Sequence, residues 1–182
     1  MISEELIIVQ TQKWIKSVVV DLNFCPFAAK AVIQKTINYS VLHNATDNLV
    51  LGNFETELKK LDRDLSSETA FIILPDSYTD FEDYLDLVSY VEEKLEELNY
   101  EGVYQVASFH PEYCFEGEDK DDVSNYTNRS PYPMLHLLRE ASITKALTTF
   151  KHPELIPENN INLTREKGLK YMQVLRQACF EI

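Results

Sequence analysis

Between Ile37 and Phe109 the chain alternates strand-like and helix-like runs, and this alternation limits the fold more than any other feature. Ala70-Phe71-Ile72-Ile73-Leu74 is a continuous apolar run closed by Pro75-Asp76, the pattern of a strand covered on both faces. Before it, Ile37, Tyr39 and Val41 alternate with Asn38 and Ser40, which reads as a half-buried strand. After it, Val103 to Phe109 reads as a third strand. Leu51, Phe54, Leu58, Leu61 and Leu65 recur at helical spacing between the first two. Phe81, Leu85, Val88, Val91, Leu95 and Leu98 do the same before the third, opened by capping-box spacing at Thr79-Asp80-Phe81-Glu82 and closed by Gly102. The order strand–helix–strand–helix–strand predicts an α/β fold with a small, largely parallel sheet of about three to four strands flanked by helices. A length of 182 residues fits one domain over 1–182.

The flanks read as helical. Ser3 caps a first helix with Glu4 and Glu5 in its opening turn and an apolar stripe through Ile7, Trp14, Val18 and Leu22, and Asn23 ends it. Pro26 suits the first position of a short second helix, which puts Cys25 at its cap. After an acidic loop, Ser130 caps and Pro131 or Pro133 opens a helix to about Phe150. A Pro-rich connection leads to a last helix from about Thr164 to Phe180, giving two C-terminal helices.

The net charge of −13 argues against nucleic acid as a partner, because phosphate contacts need clustered Lys and Arg. Charge is uneven: Glu55 to Glu101 holds 15 acids against 4 bases, whereas Arg139 to Arg176 holds 7 bases against 4 acids. The acidic half reads as solvated helix faces. No apolar run has the length of a membrane span, and the first residues lack the pattern of a signal peptide. With 3 cysteines, an odd number, reduced thiols and a cytoplasmic location are expected. The sequence sets no oligomeric state.

One stretch concentrates chemistry: Gln105 to Glu140. His110 closes the third strand ahead of Pro111 and could serve as a general base near neutral pH. Arg129 stands just before the expected helix cap, where free N–H groups and a guanidinium suit a phosphate or carboxylate. Tyr126, Thr127, Asn128 and Ser130 add hydrogen-bonding side chains. On the expected helix His136, Arg139 and Glu140 fall at i, i+3 and i+4 and would share a face. Cys25 at a helix N-terminus would be a nucleophile, with packing between Phe24 and Phe27 as the alternative. A metal held by His110, His136 and one of Glu112, Cys114 or Glu116 lacks any recognised ligand spacing, and no cofactor motif is present.

Asn23-Phe24-Cys25-Pro26-Phe27-Ala28, Gln105 to Pro111 and Asn125-Tyr126-Thr127-Asn128-Arg129-Ser130-Pro131-Tyr132-Pro133 resemble the signatures of the domain-of-unknown-function family 1415, and Leu135 to Ser142 continues the last one. The resemblance covers nearly the whole chain. It implies a bacterial cytosolic protein and brings no activity. The expectation is one pocket formed by the three signatures. The leading reading is an enzyme acting on a small anionic metabolite, with Cys25, His110 and His136 catalytic and residues 126–130 with Arg139 binding. The alternatives are a non-catalytic ligand-binding or regulatory module and a metal-binding protein.

Overall fold

A computed structural model of the chain describes residues 2–148 and 150–181. Helix α1 (Glu4–Trp14) begins at Ser3, whose Oγ accepts the Leu6 N–H at 3.3 Å. It runs directly into a π-helical turn, Ile15–Val20, and stops at Asn23, which takes the left-handed conformation (φ 57°). Helix α2 (Ala28–Gln34) starts later than Pro26 implied: Phe27 precedes it, and Cys25 lies in the turn ahead of it rather than at its cap.

Strands β1 (Ile37–Val41), β2 (Thr69–Ile73) and β3 (Tyr104–Phe109) stand where the apolar runs placed them. Helices α3 (Asp47–Arg63) and α4 (Phe81–Glu97) connect them. The cap of α4 is Asp80, whose carboxylate accepts the N–H groups of Glu82 and Asp83, not Thr79. Gly102 (φ 74°) turns the chain into β3.

The expected helix from Ser130 to Phe150 is not formed as one piece. Met134–Arg139 is strand β4, and helix α5 (Glu140–Leu147) follows at once. The sheet order is β1-β2-β4-β3. β1 and β2 pair in parallel, and β4 lies antiparallel to both neighbours. β1, β2 and β3 therefore point one way, and β4 is inserted between the last two against their direction. Leucine-rich residues that favour a helix in isolation are recruited as a strand because β2 and β3 each offer an edge of unpaired N–H and C=O groups. Leu135 and Leu137 bury against one helical layer while Met134 and His136 face the other, a period of two. Pro131 and Pro133 end the incoming loop; the Pro133 carbonyl accepts the Leu74 N–H at 2.9 Å.

The expected last helix is broken at Gly168 (φ 82°) into α6 (Ile156–Lys167) and α7 (Leu169–Gln177), with a closing 3₁₀ turn Ala178–Phe180. The result is three layers. α3 and α4 seal one sheet face around Phe54, Leu58, Leu61, Ile72, Leu87 and Leu135. α1, the π-helical turn and α7 cover the other, around Trp14, Ile15, Phe71, Ile73, Met134 and Met172. No helix among the described residues is long and apolar enough to cross a membrane.

Candidate functional site

Two of the three signatures meet at the carboxyl end of β3. The His110 N–H donates to the Asn128 carbonyl at 3.2 Å, and the Ser130 N–H donates to the His110 carbonyl at 3.4 Å. The Asn128 amide donates to the Ser108 carbonyl at 3.2 Å. Trp14 Nε1 on α1 donates to the Arg129 carbonyl at 3.2 Å, which ties this corner to the opposite helix.

The polar side chains of the corner are used mainly on backbone. A 3₁₀ turn, Val123–Thr127, opens from Asp122, whose carboxylate accepts the Ser124 N–H at 2.8 Å. Asn125 is fully buried; its Oδ1 accepts the Phe115 N–H at 3.0 Å, and its Nδ2 donates to the Asp119 carbonyl at 2.9 Å. Arg129 Nε donates to the Tyr113 carbonyl at 3.0 Å and one Nη to the Lys120 carbonyl at 2.7 Å, while its guanidinium lies 4.9 Å from the Tyr126 ring centroid. Asn125 and Arg129 thus clasp the acidic loop from both ends. Thr127 Oγ1 donates to the Ser124 carbonyl at 3.0 Å, and Ser130 Oγ to the Tyr132 carbonyl at 2.5 Å.

His110 is sealed from solvent. Its Nδ1 accepts the Glu112 N–H at 3.0 Å, so the ring proton sits on Nε2, which donates to the Tyr78 carbonyl at 2.9 Å. Burial lowers its pKa from the ordinary histidine value, with the Tyr78 carbonyl opposing. This bond also fixes Tyr78 in a left-handed backbone conformation (φ 53°), uncommon for a bulky residue.

His136 does not share a helical face with Arg139 and Glu140; it is mid-strand. It stacks flat on Phe71, with centroids 3.9 Å apart, and its Nε2 lies 2.6 Å from Thr69 Oγ1. Because Thr69 donates its hydroxyl to the Leu137 carbonyl, His136 Nε2 is the donor in that pair. Desolvation lowers the imidazole pKa to about 3.

Arg139, three residues on, points to the other sheet face at the far end. It donates to Tyr104 Oη at 2.7 Å and to the Leu61 carbonyl, over the Tyr104 ring. Asp62 accepts from Tyr104 in turn at 2.8 Å. Glu140 opens α5 with its N–H on the Val103 carbonyl at 3.0 Å.

Cys25 sits in the turn between the π-helical turn and α2, its carbonyl accepting the Ala28 N–H at 3.1 Å. Burial raises the thiol pKa above its ordinary value, outweighing the nearby Phe27 and Ala28 N–H groups that favour thiolate. Neither His110 nor His136 bonds it. Among the described residues no group of three or more His, Cys, Asp and Glu could hold a metal ion.

Arg176 on α7, which the sequence reading passed over, completes the corner. Its Nε donates to the Ser130 carbonyl at 2.9 Å. Burial lowers its pKa from the ordinary arginine value; Tyr126, Cys179 and Glu112 oppose the shift, and the Arg129 charge adds to it. Its position was the available signal: Arg176 falls four residues after Met172 and three before Cys179, on the buried stripe itself, and a charge there needs a partner.

These features define a three-layer α/β domain whose signature residues knit a strand end, an acidic loop and a C-terminal helix together. The chain belongs to the family described as protein of unknown function (DUF1415), whose model matches residues 6–174. No curated protein and no solved structure matches it.

Proposed function

We propose that the protein is a non-catalytic binding module for a small anion, held between Arg176 and Arg129. One observation carries this reading. Arg176 is half-buried, has one hydrogen bond, to the Ser130 carbonyl, and stands beside a second guanidinium; Glu112 acts on it only from a distance, and no carboxylate pairs directly with either arginine among the described residues. In a chain with 30 acids, Arg165 by contrast pairs with Asp122 at 3.0 Å and Glu118 at 3.6 Å. Two partly desolvated like charges favour an anion that bridges them. The Arg129 Nη not given to Lys120 and both Nη groups of Arg176 are the donors.

The binding reading is preferred to the enzymatic one because the candidate acid–base groups are committed elsewhere. Both His110 nitrogens serve backbone groups, His136 lies against Phe71, and the Cys25 thiol is held protonated. A metal-binding role finds no support in the separation of the two histidines, which pack on different aromatic partners. We place the protein in the cytoplasm of a bacterial cell, on the strength of its free thiols, Cys25, Cys114 and Cys179, and of its family resemblance. Its charge of −13 disfavours nucleic acid.

The test is a thermal melt with inorganic phosphate at constant ionic strength. Wild-type protein rises in Tm with phosphate, Arg176→Gln loses the rise, and Arg176→Lys keeps part of it. An unchanged rise in Arg176→Gln overturns the reading.

A further inference from the structure

A cleft of about 590 Å³ opens on the side of the molecule where α1, the π-helical turn, α2 and β1 meet. That size lies within the range of about 300–1,000 Å³ usual for small-molecule sites. Its surface is mostly apolar: Ile15 comes from the π-helical turn, Val32 from α2 and Ile37 from edge strand β1. Three lysines enter it, Lys13, Lys16 and Lys35, and no carboxylate lines it. Three charges drawn at random from 17 bases and 30 acids would all be basic about one time in twenty-five, so the local sign runs against that of the chain.

The lysines are weakly engaged. Lys13 donates to the Glu181 carbonyl, and Lys16 makes an exposed pair with Asp21 at 3.3 Å. Lys35 has no acidic partner among the described residues. Lys13 and Lys16 are three apart on one continuous helical rod, so they project from the same side. Lys35 faces them from the end of α2, where it holds the left-handed conformation (φ 55°). On the floor, Tyr39 stacks on Phe71 with centroids 6.1 Å apart, and Gln12 lines the cleft with it. Burial keeps that phenol neutral, its pKa pushed up to about 12. The π-helical turn, a feature found frequently at functional sites, supplies both Ile15 and Lys16.

We propose that this cleft is a binding site for an amphipathic organic anion, a carboxylate with a linear apolar tail, whose tail packs on Ile15, Val32 and Ile37 while its head meets Lys13, Lys16 and Lys35. The site is separate from the Arg129–Arg176 corner. Its lining decides the ligand class. Exposed lysines alone contribute little to affinity in water, so a purely polar anion gains little here. Each methylene moved from water onto the apolar floor contributes far more, and affinity grows by up to about fourfold per carbon until the cleft is filled. A neutral or cationic molecule of the same length lacks the head contacts or is repelled by them.

Titration calorimetry of the full chain with butanoate, hexanoate, octanoate and decanoate tests this directly. The dissociation constant falls along the series, octanoate binds more tightly than octanol, and octylamine binds more weakly still. Lys35→Glu and Lys16→Glu, both at exposed positions, each weaken octanoate by about three- to tenfold with far-ultraviolet dichroism unchanged. Val32→Trp fills the floor and abolishes octanoate binding while the response to phosphate through Arg176 persists. A dissociation constant that does not change with chain length overturns the proposal. So does octylamine binding as tightly as octanoate, or wild-type octanoate affinity in both lysine variants.

Discussion

The two faces of the sheet are built by different means. On one face α3 and α4 pack long, regular apolar stripes, with Leu58, Leu61, Leu87 and Val91 wholly buried. On the other, α1 and α7 share the work with loops, and order there depends on polar side chains that bond to backbone. Asn125, Arg129 and Arg176 each hold a carbonyl or N–H in a neighbouring segment. Buried loop backbone needs such partners, because an unpaired N–H or C=O away from water is costly. A dense polar signature therefore marks a place where irregular chain is folded inward, as much as a place where a ligand binds.

Three experiments break or sharpen this contrast. The largest effect belongs to the regular face: Leu58→Ala costs about 2–5 kcal/mol of stability by urea denaturation and lowers protection across the whole sheet. Asn125→Ala costs less, about 1–3 kcal/mol, but removes hydrogen-exchange protection chiefly from residues 113–122. If the two variants lose protection in the same pattern, the faces are not distinct in the way described.

The second effect depends on pH. His136 has its pKa lowered to about 3 in the folded protein, below an unfolded value near 6.5. Between these values the unfolded chain binds a proton that the native chain does not, so stability is full above about pH 6.5 and falls as pH drops. The slope is at most about 1.4 kcal/mol per pH unit for this residue. Asp122, lowered to about 2, loses its contribution only below about pH 4 and is separable. The variant His136→Leu therefore flattens the urea midpoint between pH 6.5 and 4, leaving the smaller slope from His110. An unaltered slope would place the titration elsewhere.

Two glycine substitutions have opposite signs on the two faces. Gly52 lies within α3 with open space around an added Cβ, so Gly52→Ala stabilises by about 0.5–1 kcal/mol. Gly168 joins α6 to α7 at φ 82°, so Gly168→Ala destabilises by about 1–3 kcal/mol despite similar room. Thermal melts of the two variants read both.

The regular face was legible in the sequence for the same reason that it is regular. Spacings of three and four through Phe54, Leu58 and Leu61, and the apolar run at Ala70–Leu74, give the helix and strand without knowledge of neighbours. Ser3 and Asn23 likewise act as local start and stop signals. β4 was not legible in this way. Met134-Leu135-His136-Leu137-Leu138 suits either period, and only the open edges of β2 and β3 decide it. That one choice moved His136 and Arg139 to opposite faces. The joining of His110 to Asn128 and Ser130 followed the expectation that these signatures meet, whereas Cys25 stayed with α2. The lysine cleft drew no notice because Lys13 and Lys35 are far apart in the chain and face each other only once α1 and α2 are set on β1.

The insertion of β4 also fixes when the sheet can close. A polypeptide that has been synthesised only as far as Phe109 possesses its three co-directional strands but lacks the ribbon that joins the second to the third. Such a nascent chain carries exposed edges able to pair with other molecules. Completion waits until residues 134–139 emerge, and the loop clasped by Asn125 and Arg129 is what brings them back across the intervening gap. Ribosome-stalled chains ending before and after this strand would differ abruptly in protease resistance, which ties closure of the sheet to the emergence of β4.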